Sequence, residues 1–171
     1  MRRSSRQVRG FTLVELLLYV ALTTIMVGTI SVFLFMTLQV RVKNQVINEV
    51  EQQGQQAMQR ITQVIRNATD ITAPVQGASG ASTTLVVTPT GNSPTVFALT
   101  AGALRITEGA GTAVVLTNGR VIASALTFTN LSRSASSHDL RVQFTLTAVN
   151  NSGRNEYDFA KTFTTSAHVR P

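Results

Sequence analysis

One carboxylate in this chain stands at the head of a long apolar run that holds no other charge. Glu15 is the only charged residue between Arg9 and Arg41, and the 25 residues from Leu16 to Val40 carry none. A carboxylate held in hydrocarbon costs several kcal/mol even by the lower scales, so its position reads as functional. The chemistry open to it is charge pairing, since an ion pair formed in low dielectric recovers part of the desolvation that each ion pays alone. Two other groupings contain reactive types. Ser136, His138 and Asp139 could supply a nucleophile, a base and an orienting acid. Neighbours this close in sequence rarely point at one another as a triad requires, and a serine-rich loop with an incidental histidine is the better reading. Glu156 and Asp158 stand two apart, a spacing typical of a solvated strand edge rather than a metal site. No catalytic, metal-binding or cofactor-binding residue is assigned.

The element that holds Glu15 is long and apolar. A hydrocarbon core of about 30 Å needs about 20 helical residues, and the stretch from Phe11 to Val40 exceeds that. A cleavable secretory signal would be shorter and would end in small residues, whereas here Gln39-Val40-Arg41-Val42-Lys43 follows. Arg2, Arg3, Arg6 and Arg9 precede the span, and only Arg41 and Lys43 closely follow it. The positive-inside rule therefore predicts an N-terminus in the cytoplasm and export of everything beyond about residue 40. A plain signal anchor would satisfy the length but has no use for Glu15.

Arg9-Gly10-Phe11-Thr12-Leu13-Val14-Glu15, with its basic leader and long apolar helix, resembles the N-terminal signal of type IV prepilins and of type II secretion pseudopilins. The resemblance covers about the first 30 residues. It implies that a prepilin peptidase cuts between Gly10 and Phe11 and N-methylates Phe11. It also implies that Glu15 meets the terminal amine of a neighbouring subunit as helices pack into a filament. Other pilins or pseudopilins, an inner-membrane assembly platform and a cytoplasmic ATPase are the implied partners. The chain has no phosphate-binding loop of its own. Many major pilins place a proline in the apolar segment, but none occurs here before Pro74. That departure fits minor pilins and pseudopilins better.

Without the four leader arginines the net charge falls from +7 to +3, eleven basic residues against eight acidic. No Lys/Arg run follows residue 43, so a nucleic-acid footprint has no support in the sequence. There is no cysteine, so the exported part must rest on its core rather than on disulfides.

From Val42 the pattern becomes striped: Val42, Val46, Val50, Ala57, Ile61, Val64 and Ala68 recur at three- and four-residue steps, with Gly54 in the gap. This predicts an amphipathic continuation of the helix over 41–70, ending near residues 67–70 ahead of Pro74. A helix over 11–69 would be about 90 Å long. Gly28 and Gly54 weaken it by up to about 1 kcal/mol each. Gly54 reads as a tolerated small residue. The Gly/Ala/Ser-rich stretch 71–84 reads as a flexible linker, and 85–171 as the exported β domain.

Within that domain, strands are expected over 84–88, 95–100, 103–107, 112–117, 120–122 and 125–129. Asn118-Gly119 is expected as a type I′ hairpin turn. The clearest strand is 140–148, where Leu140, Val142, Phe144, Leu146 and Ala148 alternate with polar residues. Its partner carries Tyr157, Phe159 and Phe163 around Lys161.

The expected fold is α+β and pilin-like, one long N-terminal helix packed on a C-terminal antiparallel sheet. The strand order weakly resembles the minor pseudopilin J and W-type minor pilins, which implies a place at the filament tip. The sequence thus points to a membrane-inserted structural subunit, not an enzyme. The alternative is a binding module on the same scaffold for DNA uptake or surface adhesion, with Arg120, Arg133, Arg141, Arg154, Lys161 and Arg170 converging in space.

Overall fold

The computed structural model describes residues 11–134 and 138–169, and the chain divides into two compact units after Arg41. One element, the helix α1 (Leu13–Asn67), supplies the first unit and opens the second.

In the first unit every residue of α1 except Ser31 and Thr37 is exposed. Its serine and threonine hydroxyls nonetheless have partners within the helix. Thr23 and Thr24 donate to the Val20 carbonyl, Thr29 to Met26, Ser31 to Val27 and Thr37 to Phe33, at 2.8–3.0 Å. Hydroxyls bonded back to carbonyls three or four residues earlier need nothing from their surroundings. In a bilayer, where no water offers an alternative, that satisfaction is a requirement.

The second unit is α+β. The striped half of α1 buries Val50, Gly54, Ala57, Ile61, Val64 and Ile65 against two antiparallel sheets. One sheet has the order β1-β3-β4-β5-β6, formed by Ala68–Ala73, Thr83–Val87, Thr95–Thr100, Ala103–Glu108 and Val114–Val115. The other has the order β2-β7-β8-β9, formed by Ser79–Gly80, Val121–Asn130, Asp139–Ala148 and Ala160–His168. The single expected sheet is therefore two. They meet where Ala123 N donates to the Gly102 carbonyl at 2.7 Å and where the Phe97 and Phe128 rings lie 6.4 Å apart.

Several differences from the sequence reading have local causes. The helix stops at Asn67 because Ala68 already pairs with Val87 of β3; Pro74 lies too far on to be the reason. The stretch 71–84 is not a free linker. It contains the end of β1, all of β2 and the start of β3, and the buried Asn130 pins it from the side. Asn130 Nδ2 donates to the Pro74 carbonyl at 2.8 Å, and its backbone exchanges hydrogen bonds with Gly77 and Ala78. Replacing Asn130 by Leu will strand the Pro74 carbonyl and the Ser132 N–H that Asn130 Oδ1 accepts. A loss of about 1–3 kcal/mol is expected in denaturant unfolding, with hydrogen exchange rising first at 74–80.

The two short strands expected at 120–122 and 125–129 are one, β7, broken in phase by a bulge. Ala125 adopts φ +51° and the register with β8 shifts between Ser124 and Thr127, so Val121 and Ala123 and then Leu126 and Phe128 all face inward. The type I′ signature lies at Ala101-Gly102, with φ of +51° and +72°, joining β4 to β5. Asn118-Gly119 instead links the edge of one sheet to the first long strand of the other.

Candidate functional site

The helix carrying Glu15 begins with a cap. Thr12 accepts the Glu15 N–H on its Oγ1 at 3.3 Å, and its carbonyl takes the Leu16 N–H at 3.2 Å. Thr12 is the N-cap and Glu15 the third helical residue, the Thr-x-x-Glu order of a capping box. A carboxylate in the first turn also meets the positive end of the helix dipole. Sequence reasoning gave Glu15 a single role, although the Thr-x-x-Glu spacing was open to view. Phe11 lies ahead of the helix, 73% exposed, and its ring meets Tyr19 edge-on at 6.0 Å. The chain thus presents Phe11 outside the first helical turn, four residues before the acid. Gly10, the residue on the other side of the expected cleavage, lies outside the described residues.

The other candidate groups separate. Ser136 lies outside the described residues. His138 turns its Nδ1 to Asp70 at 3.6 Å, while Asp139 meets His168 at 3.0 Å. The imidazole and the carboxylate that a triad would join are thus engaged with different elements. Glu156 pairs with Arg154, which leaves Asp158 beside it on its own. Of the six cations that could have formed one basic groove, Arg120, Arg154 and Lys161 face Glu49, Glu156 and Glu51. Arg170 lies outside the described residues. An open groove of about 750 Å³ runs between Val42, Val46 and Val50 of α1 and Ala148, Val149 and Tyr157, with the Glu49–Arg120 pair in its lining.

One residue that the sequence left bland has a positional requirement. A Cβ on Gly54 would stand 2.1 Å from Cζ of Phe163, so that ring occupies the space of the missing side chain. Phe163 in turn stacks on Phe144 at 5.5 Å. Lys161, one strand step away, reaches Glu51 of α1 at 2.6 Å. Gly54 thus sets how closely β9 and the helix approach.

No curated protein and no solved structure matches the chain. Residues 5–31 match the family described as the prokaryotic N-terminal methylation motif. The match contains Gly10, Phe11, Thr12 and Glu15, so the chain carries the N-terminal signal of type IV pilins and pseudopilins at the head of a pilin-like α+β fold.

Proposed function

We propose that this chain is the precursor of a filament subunit of the type IV pilus or type II secretion pseudopilus kind. A membrane-bound prepilin peptidase removes residues 1–10 and methylates the amine of Phe11. The apolar half of α1 anchors the subunit with its N-terminus in the cytoplasm and the β domain exported. An assembly platform driven by a cytoplasmic ATPase then moves the subunit from the bilayer into the filament, where Glu15 neutralises the amine of a neighbour. Its role is structural: the subunit supplies a helix and a surface.

The observation that carries this reading is the methylation motif over 5–31, joined to an apolar helix whose cap sets Glu15 four residues beyond Phe11. Phe11 precedes the first helical residue, a placement that leaves the proposed cut ahead of the helix.

Intact-mass measurement on membranes tests it. Co-expression with a prepilin peptidase is expected to shorten the chain by the ten residues before Phe11 and add one methyl group. Gly10→Val will leave the leader attached, because a side chain at the residue before the cut obstructs the peptidase. Normal maturation of that variant would refute the processing assignment.

A further inference from the structure

The outer faces of the two sheets differ in kind. Cross-strand partners share a face, so the register of the four-stranded sheet gathers Ser124, Thr145 and Thr162 in one row and Thr127, Gln143 and Thr164 in the next. That face is polar and wet. In the five-stranded sheet, Val96 is flanked by Thr84 and Thr107, and Arg105 by Ala98 and Val115. Val86 lies two residues along β3 from Thr84, on the same face, and all but Val115 are half-buried.

Arg105 stands in that aliphatic setting without an acceptor. Its Nε is buried and unpaired, and among the described residues no carboxylate reaches its guanidinium. Arg66, Arg133 and Arg141 also lack an acid, but all three are exposed and water serves them. In Arg105 only Nε is sealed within the subunit; the terminal nitrogens of this half-buried guanidinium are not among the buried unpaired atoms and remain open to an acceptor from outside. The acids of the second unit show the complementary gap. Glu49, Glu51, Asp70, Glu108, Asp139 and Glu156 each face a basic side chain. Asp158 alone among the described acids of this unit has none. It is exposed, follows the short turn Asn155–Tyr157, and contacts Lys43 only through its backbone carbonyl.

We infer that Asp158 of one copy of this chain seats against Arg105 of the next, with Val96, Ala98 and Val115 closing around the pair. The inference rests on the reading of the chain as a filament subunit. Arg105 stands on β5 of the five-stranded sheet and Asp158 follows the turn before β9 of the other, so a contact made once between two copies is heterologous and leaves each copy with one free half, as an open assembly requires. Burial between aliphatic side chains strengthens the attraction within the pair and makes it specific at the cost of desolvating both ions, while either half left alone in the interface is destabilising.

The absence of cysteine makes the test direct. Two full-length copies are co-expressed in membranes with the peptidase and assembly machinery, one carrying Val115→Cys and the other Asn155→Cys. Oxidation is expected to give a disulfide-linked dimer. Arg105→Glu in the Val115→Cys copy will reduce it on the order of tenfold, as will Asp158→Arg in the Asn155→Cys copy. Combining the two reversed copies will restore it, and that recovery in trans excludes misfolding of either. A cross-link indifferent to single reversals, or one that the combination fails to restore, overturns the contact. The mass of the same chains separates the two levels. Chains processed and incorporated without the cross-link refute this contact alone; unprocessed chains without it refute the filament reading as well.

Discussion

A Glu15→Leu chain will insert in the membrane, be cut ahead of Phe11, and fail to enter filaments. Insertion should not suffer, because the substitution removes a carboxylate from the end of the apolar segment. The proposed cleavage at the bond before Phe11 lies ahead of the helix, and the substitution leaves that bond untouched. On the proposed reading, assembly loses the group that neutralises the terminal amine of the neighbouring subunit. An amine left alone in low dielectric costs several kcal/mol, enough to reduce incorporation by more than a hundredfold. A second preference complicates this simple reading, because Glu15 occupies the third position of the helix, where Thr12 caps its backbone N–H and Glu or Gln side chains are favoured. Glu15→Gln separates the two roles. Glutamine serves in a capping box as glutamate does, yet brings no charge. If sheared-filament yield falls alike for Leu and Gln, the charge is what assembly uses. Normal yield from the Gln variant would refute the charge-pairing role of Glu15.

Gly54→Ala will destabilise the β domain and Gly28→Ala will not, although both replace a helical glycine. Alanine is favoured over glycine in a helix by up to about 1 kcal/mol. At Gly28 nothing lies within 4 Å of the new methyl, so local helicity should rise. At Gly54 the methyl meets the Phe163 ring at 2.1 Å. That ring is stacked on Phe144, which is fully buried, so it cannot retreat without disturbing the core. Overpacking of this kind costs about 1–3 kcal/mol, more than the helix gains. Denaturant unfolding of the β domain in detergent-solubilised protein should therefore show a lower midpoint for Gly54→Ala and none of that loss for Gly28→Ala. Adding Phe163→Leu should offset part of the Gly54→Ala effect. Equal behaviour of the two glycine variants would remove the packing role assigned to Gly54.

The sequence disclosed the elements whose signals are local. The alternation from Leu140 to Ala148 reads directly as β8, and the valine and isoleucine steps of α1 give its buried face. What it hid depends on partners distant in the chain. Gly54 is ordinary until Phe163, over a hundred residues later, is placed on it. The segment 71–84 has the composition of a linker, and only Asn130 and the edges of two sheets hold it. The bulge at Ala125 was visible as a change of phase, but a gap between strands gives the same pattern. The turn signal at Asn118-Gly119 misled because dipeptide preference cannot tell a hairpin from a crossing between sheets. At the N-terminus the motif was plain, and the missed element was the modest Thr12.

The hydroxyls of the apolar half of α1 have a consequence for how such a subunit can travel. Thr23, Thr24, Thr29, Ser31 and Thr37 direct their protons inward to their own helix. The segment therefore presents a nearly uniform hydrocarbon exterior, with its dipoles short-circuited inside. A helix of that kind is indifferent to whether lipid tails or neighbouring helices surround it, because neither host must supply or surrender a hydrogen bond. Passage from one to the other then needs little solvation work along most of the span, and the cost gathers at its one ionised end. Whatever drives extraction has a single electrostatic obstacle to overcome, and it stands in the first turn.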